Sequence, residues 1–280
     1  MLASGTPEDV RHHGEVQRVY LGRGTEGLAL PEARPTPEAQ APLLKVDAVN
    51  TFYGSSHILH NVSLEVPPGD IVVLLGRNGV GKTTTLKSIM GILPLQNGRV
   101  VFEGREITGY PPHKVAACGV AFIPEERRIF PNLTVLENLK MGMVAQGNRI
   151  DSRAQLAVVL DYFPRLRERI NNKGNRLSGG EQQMLTIARG LVSNPKLLMI
   201  DEPTEGLSPI LVEEITRIIR RLHTEGVTIL VVEQNYEMSL SLSENLRAYV
   251  IEKGQIKLEG TKAKLRECQA DVEKCLGVKI

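Results

Sequence analysis

The chain has 280 residues, 41% hydrophobic and 24% charged, with 34 Lys and Arg against 32 Asp and Glu for a formal charge of +2. That length allows one large domain or two small ones around a full core, and the charge balance excludes wrapping of nucleic acid by bulk electrostatics. The length also excludes a disulfide-stapled mini-protein, and Cys118, Cys268 and Cys275, an odd count that matches no zinc spacing, suit free thiols in a reducing, cytoplasmic compartment.

The N-terminal stretch carries Glu8, Asp9 and Arg11 and lacks the apolar region of a secretory signal. Residues 31–42 hold four prolines and no apolar periodicity, so residues 1–42 read as a tail and linker and residues 43–280 as the folded domain. Leu44, Val46 and Val49, then Val62, Leu64 and Val66, alternate with polar residues and predict half-buried antiparallel strands. After the turn Pro67–Asp70, the run Ile71–Leu75 predicts a strand buried on both faces, followed by a glycine-rich loop and a helix over Thr84–Met90. Between about residues 127 and 183 the pattern is helical and polar, as for an inserted subdomain. Leu197–Ile200 and Val227–Val232 predict further buried strands, separated by the amphipathic stretch Ile210–Leu222, which gives an α/β fold with a parallel core sheet. No apolar stretch approaches the ~20 residues that cross a bilayer.

Three motifs carry chemistry. Gly76-Arg77-Asn78-Gly79-Val80-Gly81-Lys82-Thr83, with Thr84 next, fits G-x-x-x-x-G-K-[ST] between a predicted strand and a predicted helix. Glycines there let backbone N–H groups curl around phosphates, Lys82 neutralises β/γ oxygens and the Thr83 hydroxyl ligates Mg²⁺. The apolar strand Leu197–Ile200 ends in Asp201, placed to hold Mg²⁺, and Glu202, placed to polarise an attacking water. Leu177-Ser178-Gly179-Gly180-Glu181 precedes a helix-forming run to Leu191, so Ser178 and the glycines present a second anion site at a helix N-terminus.

In this order, the three motifs resemble those of an ATP-binding cassette (ABC) ATPase, over about residues 43–278. The resemblance implies a P-loop fold with an antiparallel β subdomain and a helical insertion. It also implies head-to-tail dimers in which Leu177–Glu181 of each subunit closes over the other's γ-phosphate. Tyr53 matches the aromatic that stacks on adenine, and Glu125 stands where the family usually has a Mg²⁺-ligating Gln. His57, His60, His113 and His223 show no metal-ligand spacing, and Arg217, Arg220 and Arg221 read as a solvated helix face.

The stretch Pro124–Phe130, followed by Leu133–Leu139, is similar to the ATP-binding subunits of branched-chain amino acid importers. Pro209 replaces the usual D-loop Asp and Gln234 the usual switch His, and both departures resemble that subfamily. Gln234 donates a hydrogen bond to a γ-phosphate oxygen but never becomes cationic, so it stabilises charge less than a protonated His. The subfamily implies membrane permease subunits, a second and different cassette, and indirectly an extracytoplasmic solute-binding protein, at the cytoplasmic face of a bacterial inner membrane; nucleic acid is not expected. Importers of amides, urea and aromatic acids look alike, and a soluble non-transport cassette ATPase is the competing class. Gly5-Thr6, Arg11 and Leu21-Gly22 lie 255 positions before Gly260-Thr261, Arg266 and Leu276-Gly277, so residues 1–22 resemble the relic of a partner cassette's C-terminus.

Overall fold

The computed structural model describes residues 41–144 and 152–277. The tail, with its similarity to a cassette C-terminus, lies outside the described residues apart from the last two positions of the linker.

Two strands, β1 (Leu44–Tyr53) and β2 (Ser56–Val66), form an antiparallel hairpin in the register Leu44 to Val66, turning through Gly54 at φ 57°. The predicted alternation holds: Leu44, Val46, Val49, Val62, Leu64 and Val66 are all buried. Next, β3 (Ile71–Leu75), buried throughout, leads into α1 (Lys82–Ile89). β4 (Leu95–Phe102) and β5 (Arg105–Glu106) complete a four-stranded sheet in the order β2-β1-β4-β5. α2 (Pro112–Ala117) then precedes β6 (Val120–Ile123).

The segment after β6 carries α3 (Val135–Met143), α4 (Ser152–Tyr162), α5 (Pro164–Glu168) and α6 (Gly179–Leu191). The first helix of this segment begins at Val135. Thr134 and Glu137 form a reciprocal capping box, and upstream Arg127 and Arg128 adopt φ of 49° and 35°, outside helical space. At the other end α6 runs to Leu191, as its helix-forming run predicts, because its apolar face continues through Leu185, Ile187 and Ala188.

The rest of the chain supplies β7 (Leu197–Asp201), α7 (Pro209–Thr224), β8 (Thr228–Glu233), α8 (Tyr236–Ser241), β9 (Arg247–Glu252), β10 (Gln255–Thr261), α9 (Lys262–Glu267) and α10 (Gln269–Leu276). The second sheet has the order β10-β9-β3-β8-β7-β6, parallel except for the β9–β10 hairpin. That hairpin has no counterpart among the predicted strands.

The parallel sheet divides the core by side-chain parity. Val73, Leu198, Ile200 and Val231 face α6 and α7 through Leu185, Ile215 and Ile219. Val72, Leu74, Met199, Leu230 and Val232 face the antiparallel sheet and Leu86 and Ile89 of α1. Each such side chain contributes about 1.5–3 kcal/mol of burial, so the central strands fix the edge from which the site's loops emerge.

Two groups outside the site pack locally. Among the four histidines, His57 stacks on Phe52 at 4.1 Å between ring centroids and leans on His60 at 3.8 Å, a packing role. The arginine face of α7 is only partly solvated, since the Arg221 guanidinium covers the Tyr162 ring at 4.4 Å and pairs with Glu225. Among the described residues no helix is long and apolar enough to cross a membrane.

Candidate functional site

Leu75, Asp201 and Glu233 close three adjacent parallel strands, with Leu75 opposite Glu233 and Asp201 opposite Val232. Their following loops therefore leave one edge of the sheet together, the usual place for a ligand in an open α/β sheet.

The glycine loop is shaped by Gly79 at φ 80° and Gly81 at φ 113°, conformations that a side chain would strain. Gly76 is held differently: a Cβ there would lie 2.8 Å from Val80, the Ile251 side chain and the Ile251 carbonyl. Lys82 folds back over the loop, donating to the carbonyls of Gly76 at 2.7 Å and Arg77 at 3.0 Å and, more weakly, to Asn78 Oδ1 at 3.4 Å. The same ammonium pairs with Glu202 Oε1 at 2.9 Å, and both side chains are buried. Arg77 points away, its guanidinium packed on Gly277 beyond α10.

Thr83 Oγ1 donates to Asp201 Oδ1 at 3.1 Å. The other oxygen, Asp201 Oδ2, is buried with no hydrogen-bond partner. Burial pushes the Asp201 carboxyl up to about 6, with the Thr83 hydroxyl opposing the rise. A buried carboxylate with one orphaned oxygen beside a hydroxyl is a hard oxygen donor set, which fits a divalent cation such as Mg²⁺.

This has a measurable consequence without metal. Because the folded pKa lies above the unfolded value near 3.8, stability from this group is greatest below that value. It falls as pH rises to about 6, by about 3 kcal/mol, and is flat above. Urea titrations of the metal-free chain between pH 4 and 7 should show that slope, and Asp201→Asn should remove it.

Glu202 follows with φ 44°, a strained backbone for a long side chain, and its N–H donates to the Val232 carbonyl at 2.9 Å. Burial raises its carboxyl above the ordinary range, and Lys82 opposes that. Gln234 is half-buried at the start of the next loop, its N–H donating to Glu233 Oε2 at 3.0 Å. Glu233 itself is buried, with its carboxylate between Thr204 and the Gln234 and Asn235 amides. The sequence reading passed over Glu233, although an acid closing an apolar strand is the signal that singled out Asp201.

Other predicted residues lie elsewhere. Tyr53 is 46% exposed at the end of β1. Glu125 is exposed in the loop after β6 and lines an open cleft of about 640 Å³ with Arg127, Ile129, Gln182 and Glu205. Among the described residues no group of three or more His, Cys, Asp or Glu gathers as a metal cluster.

Leu177 is buried, while Ser178 and Gly179 are exposed. Ser178 caps α6: its Oγ accepts from the Glu181 N–H at 3.3 Å, and its own N–H donates to Glu181 Oε2 at 2.7 Å. The hydroxyl acts as an acceptor there, which leaves its proton and the first-turn amides of Gly179 and Gly180 to face an anion. Gly180 is close-packed, since a Cβ would lie 2.6 Å from Leu211 of α7. No hydrogen bond or ion pair joins this helix end to the glycine loop among the described residues.

Residues 59–205 match the family model described as ABC transporter. That span holds the glycine loop, Leu177–Glu181 and the Asp201-Glu202 strand end. The chain belongs to the ABC transporter family. The cassette is 45% identical over 223 residues to the high-affinity branched-chain amino acid transport ATP-binding protein BraG of Pseudomonas aeruginosa, covering 80% of this chain and 94% of the relative. It is 38% identical over 237 residues to a probable branched-chain amino acid transport ATP-binding protein, LivF, of Archaeoglobus fulgidus, covering 84% and 99%. Among solved structures, the ADP conformation of MJ1267, an ATP-binding cassette of an ABC transporter, superposes with a TM-score of 0.75 at 27% identity, covering 85% of this chain and 98% of that one. The expected fold class is thus observed, and the cassette is an ATP-binding, ATP-hydrolysing domain.

Proposed function

We propose that this chain is the ATPase subunit of an importer of branched-chain amino acids, bound to permease subunits at the cytoplasmic face of a bacterial inner membrane and paired with a second cassette. The observation that carries this reading is the 45% and 38% identity to two branched-chain amino acid transport ATP-binding proteins over four fifths of the chain. Residues 43–280 act as the cassette, with about 127–183 as its helical subdomain, and residues 1–42 as an accessory tail.

In this reading the amides of Gly76 to Thr84, flanking Arg77, Asn78 and Val80, surround the nucleotide's phosphates, and Lys82 exchanges its loop carbonyls and Glu202 for phosphate oxygens. That exchange frees the Glu202 carboxylate to accept a proton from the attacking water. Thr83, Asp201 and Glu125 would hold Mg²⁺, which when bound supplies Lewis-acid charge to the phosphate oxygens. Gln234 donates to a γ-phosphate oxygen, and Leu177–Glu181 closes over the nucleotide of the paired cassette. Nucleotide then acts as glue between cassettes, and loss of the γ-phosphate releases it.

Tyr53 offers its exposed ring to adenine. Tyr53→Ala should weaken ATP binding roughly 5- to 150-fold, the worth of one stacked base, while Tyr53→Trp retains it. Calorimetry with ATP and with inorganic triphosphate checks this, since only the former has a base to lose.

The reading as a whole is tested by tagging the chain, extracting native membranes in mild detergent and identifying what co-purifies by mass spectrometry. Two permeases, a second cassette and a branched-chain amino acid-binding protein are expected. Recovery of a soluble chain with ribosomal or DNA-repair proteins would overturn the transport role, and a binding protein selective for amides, urea or aromatic acids would overturn the solute.

A further inference from the structure

The carboxylate of Glu233 is 3% exposed and carries four donors. Oε1 accepts from the Thr204 hydroxyl at 2.6 Å and the Thr204 N–H at 3.3 Å. Oε2 accepts from the N–H groups of Gln234 at 3.0 Å and Asn235 at 3.2 Å. The backbone carbonyl of the same residue accepts from the Gly76 N–H at 3.2 Å. Thr204 lies two positions beyond Glu202, and Gln234 is the next residue in the chain. One residue therefore ties together the loop bearing Glu202, the loop bearing Gln234 and the first glycine of the phosphate loop.

Strand formation does not demand an acid here. The preceding residues of β8 are Thr-Ile-Leu-Val-Val, all buried, and a buried acid at the strand end is costly unless its oxygens are matched by donors. Among side chains only a carboxylate offers two acceptor oxygens and no donor, which is what two opposed pairs of donors require.

We infer that Glu233 is a positioning residue that sets the separation of Glu202 and Gln234 across the γ-phosphate. The inference rests on the reading in which Glu202 polarises water and Gln234 contacts that phosphate. The Glu233 side chain has no hydrogen bond to Lys82 or Thr83, so its loss acts on turnover and not on nucleotide capture.

The test is ATP turnover by the full chain in its membrane complex. Glu233→Gln turns an NH2 group toward one of the two donor pairs; kcat should fall about tenfold or more while the KM for ATP stays within about twofold. Thr204→Val, which removes the hydroxyl on Oε1, should do the same, and Thr204→Ser, which keeps it, should retain kcat. The Glu233→Gln, Thr204→Val double variant should fall no further than the worse single variant, since both break one link. Unchanged kcat in Glu233→Gln, parallel losses in kcat and ATP affinity, or additive effects would each overturn the role. Glu202→Gln measured alongside separates the two levels. Normal hydrolysis by Glu202→Gln removes the underlying reading, whereas an inactive Glu202→Gln with a fully active Glu233→Gln removes only the positioning role.

Discussion

Glu202→Gln should lower ATP turnover by about 10²–10⁴-fold, the usual contribution of a positioned general base, while ATP still binds. The amide keeps the shape of the side chain at its strained φ of 44° and still accepts a hydrogen bond from Lys82, now 2.9 Å from Oε1. What it loses is the capacity to take a proton and the charge that holds Lys82 back. Lys82 then moves to phosphate oxygens with less opposition, so nucleotide affinity is retained or improved. With hydrolysis blocked, MgATP should lock cassettes into a stable dimer, seen as a doubled mass by sedimentation with little phosphate release. A variant that hydrolyses ATP at the normal rate would end the assignment of Glu202 as base.

Lys82→Ala should be damaging in two separable ways. Truncating one partner of a buried charge pair costs about 2–5 kcal/mol, so ATP affinity should fall roughly 30- to 5000-fold. The nucleotide-free fold should weaken too, because Glu202 keeps its buried carboxylate without a cation and the carbonyls of Gly76 and Arg77 lose their donor. Adding Glu202→Gln to Lys82→Ala neutralises the stranded acid, and the double variant should regain part of the lost thermal stability without regaining ATP binding. Thermal melts and calorimetry on the two variants distinguish these losses; equal Tm for Lys82→Ala and the double variant would show that the ion pair does not support the fold.

Much of the site was legible because its signals are local. Gly79, Gly81, Lys82 and Thr83 are neighbours in sequence, and a loop that wraps phosphates must place its glycines and its cation within one turn of chain. Helix α6 was legible at its start because Ser178 and Glu181 cap it three residues apart. The β9–β10 hairpin was not, since Gln255–Thr261 alternates only between exposed and half-buried positions and presents no strong apolar stripe. Glu125 was assigned by likeness to a family position, and its exposed loop places it in the cleft with Arg127 and Glu205.

The sequence alone therefore determined the phosphate loop, the buried strands that carry it and the acids at their ends, because periodicity and short spacings are properties of a single segment. Only the tertiary structure decided that Lys82 meets Glu202, that Thr83 meets Asp201 and that Glu233 clasps Thr204. These partners are about 30 to 120 residues apart in the chain. They meet through the parallel order β3-β8-β7, which is fixed by side chains packing on both faces of the sheet and which no single segment encodes.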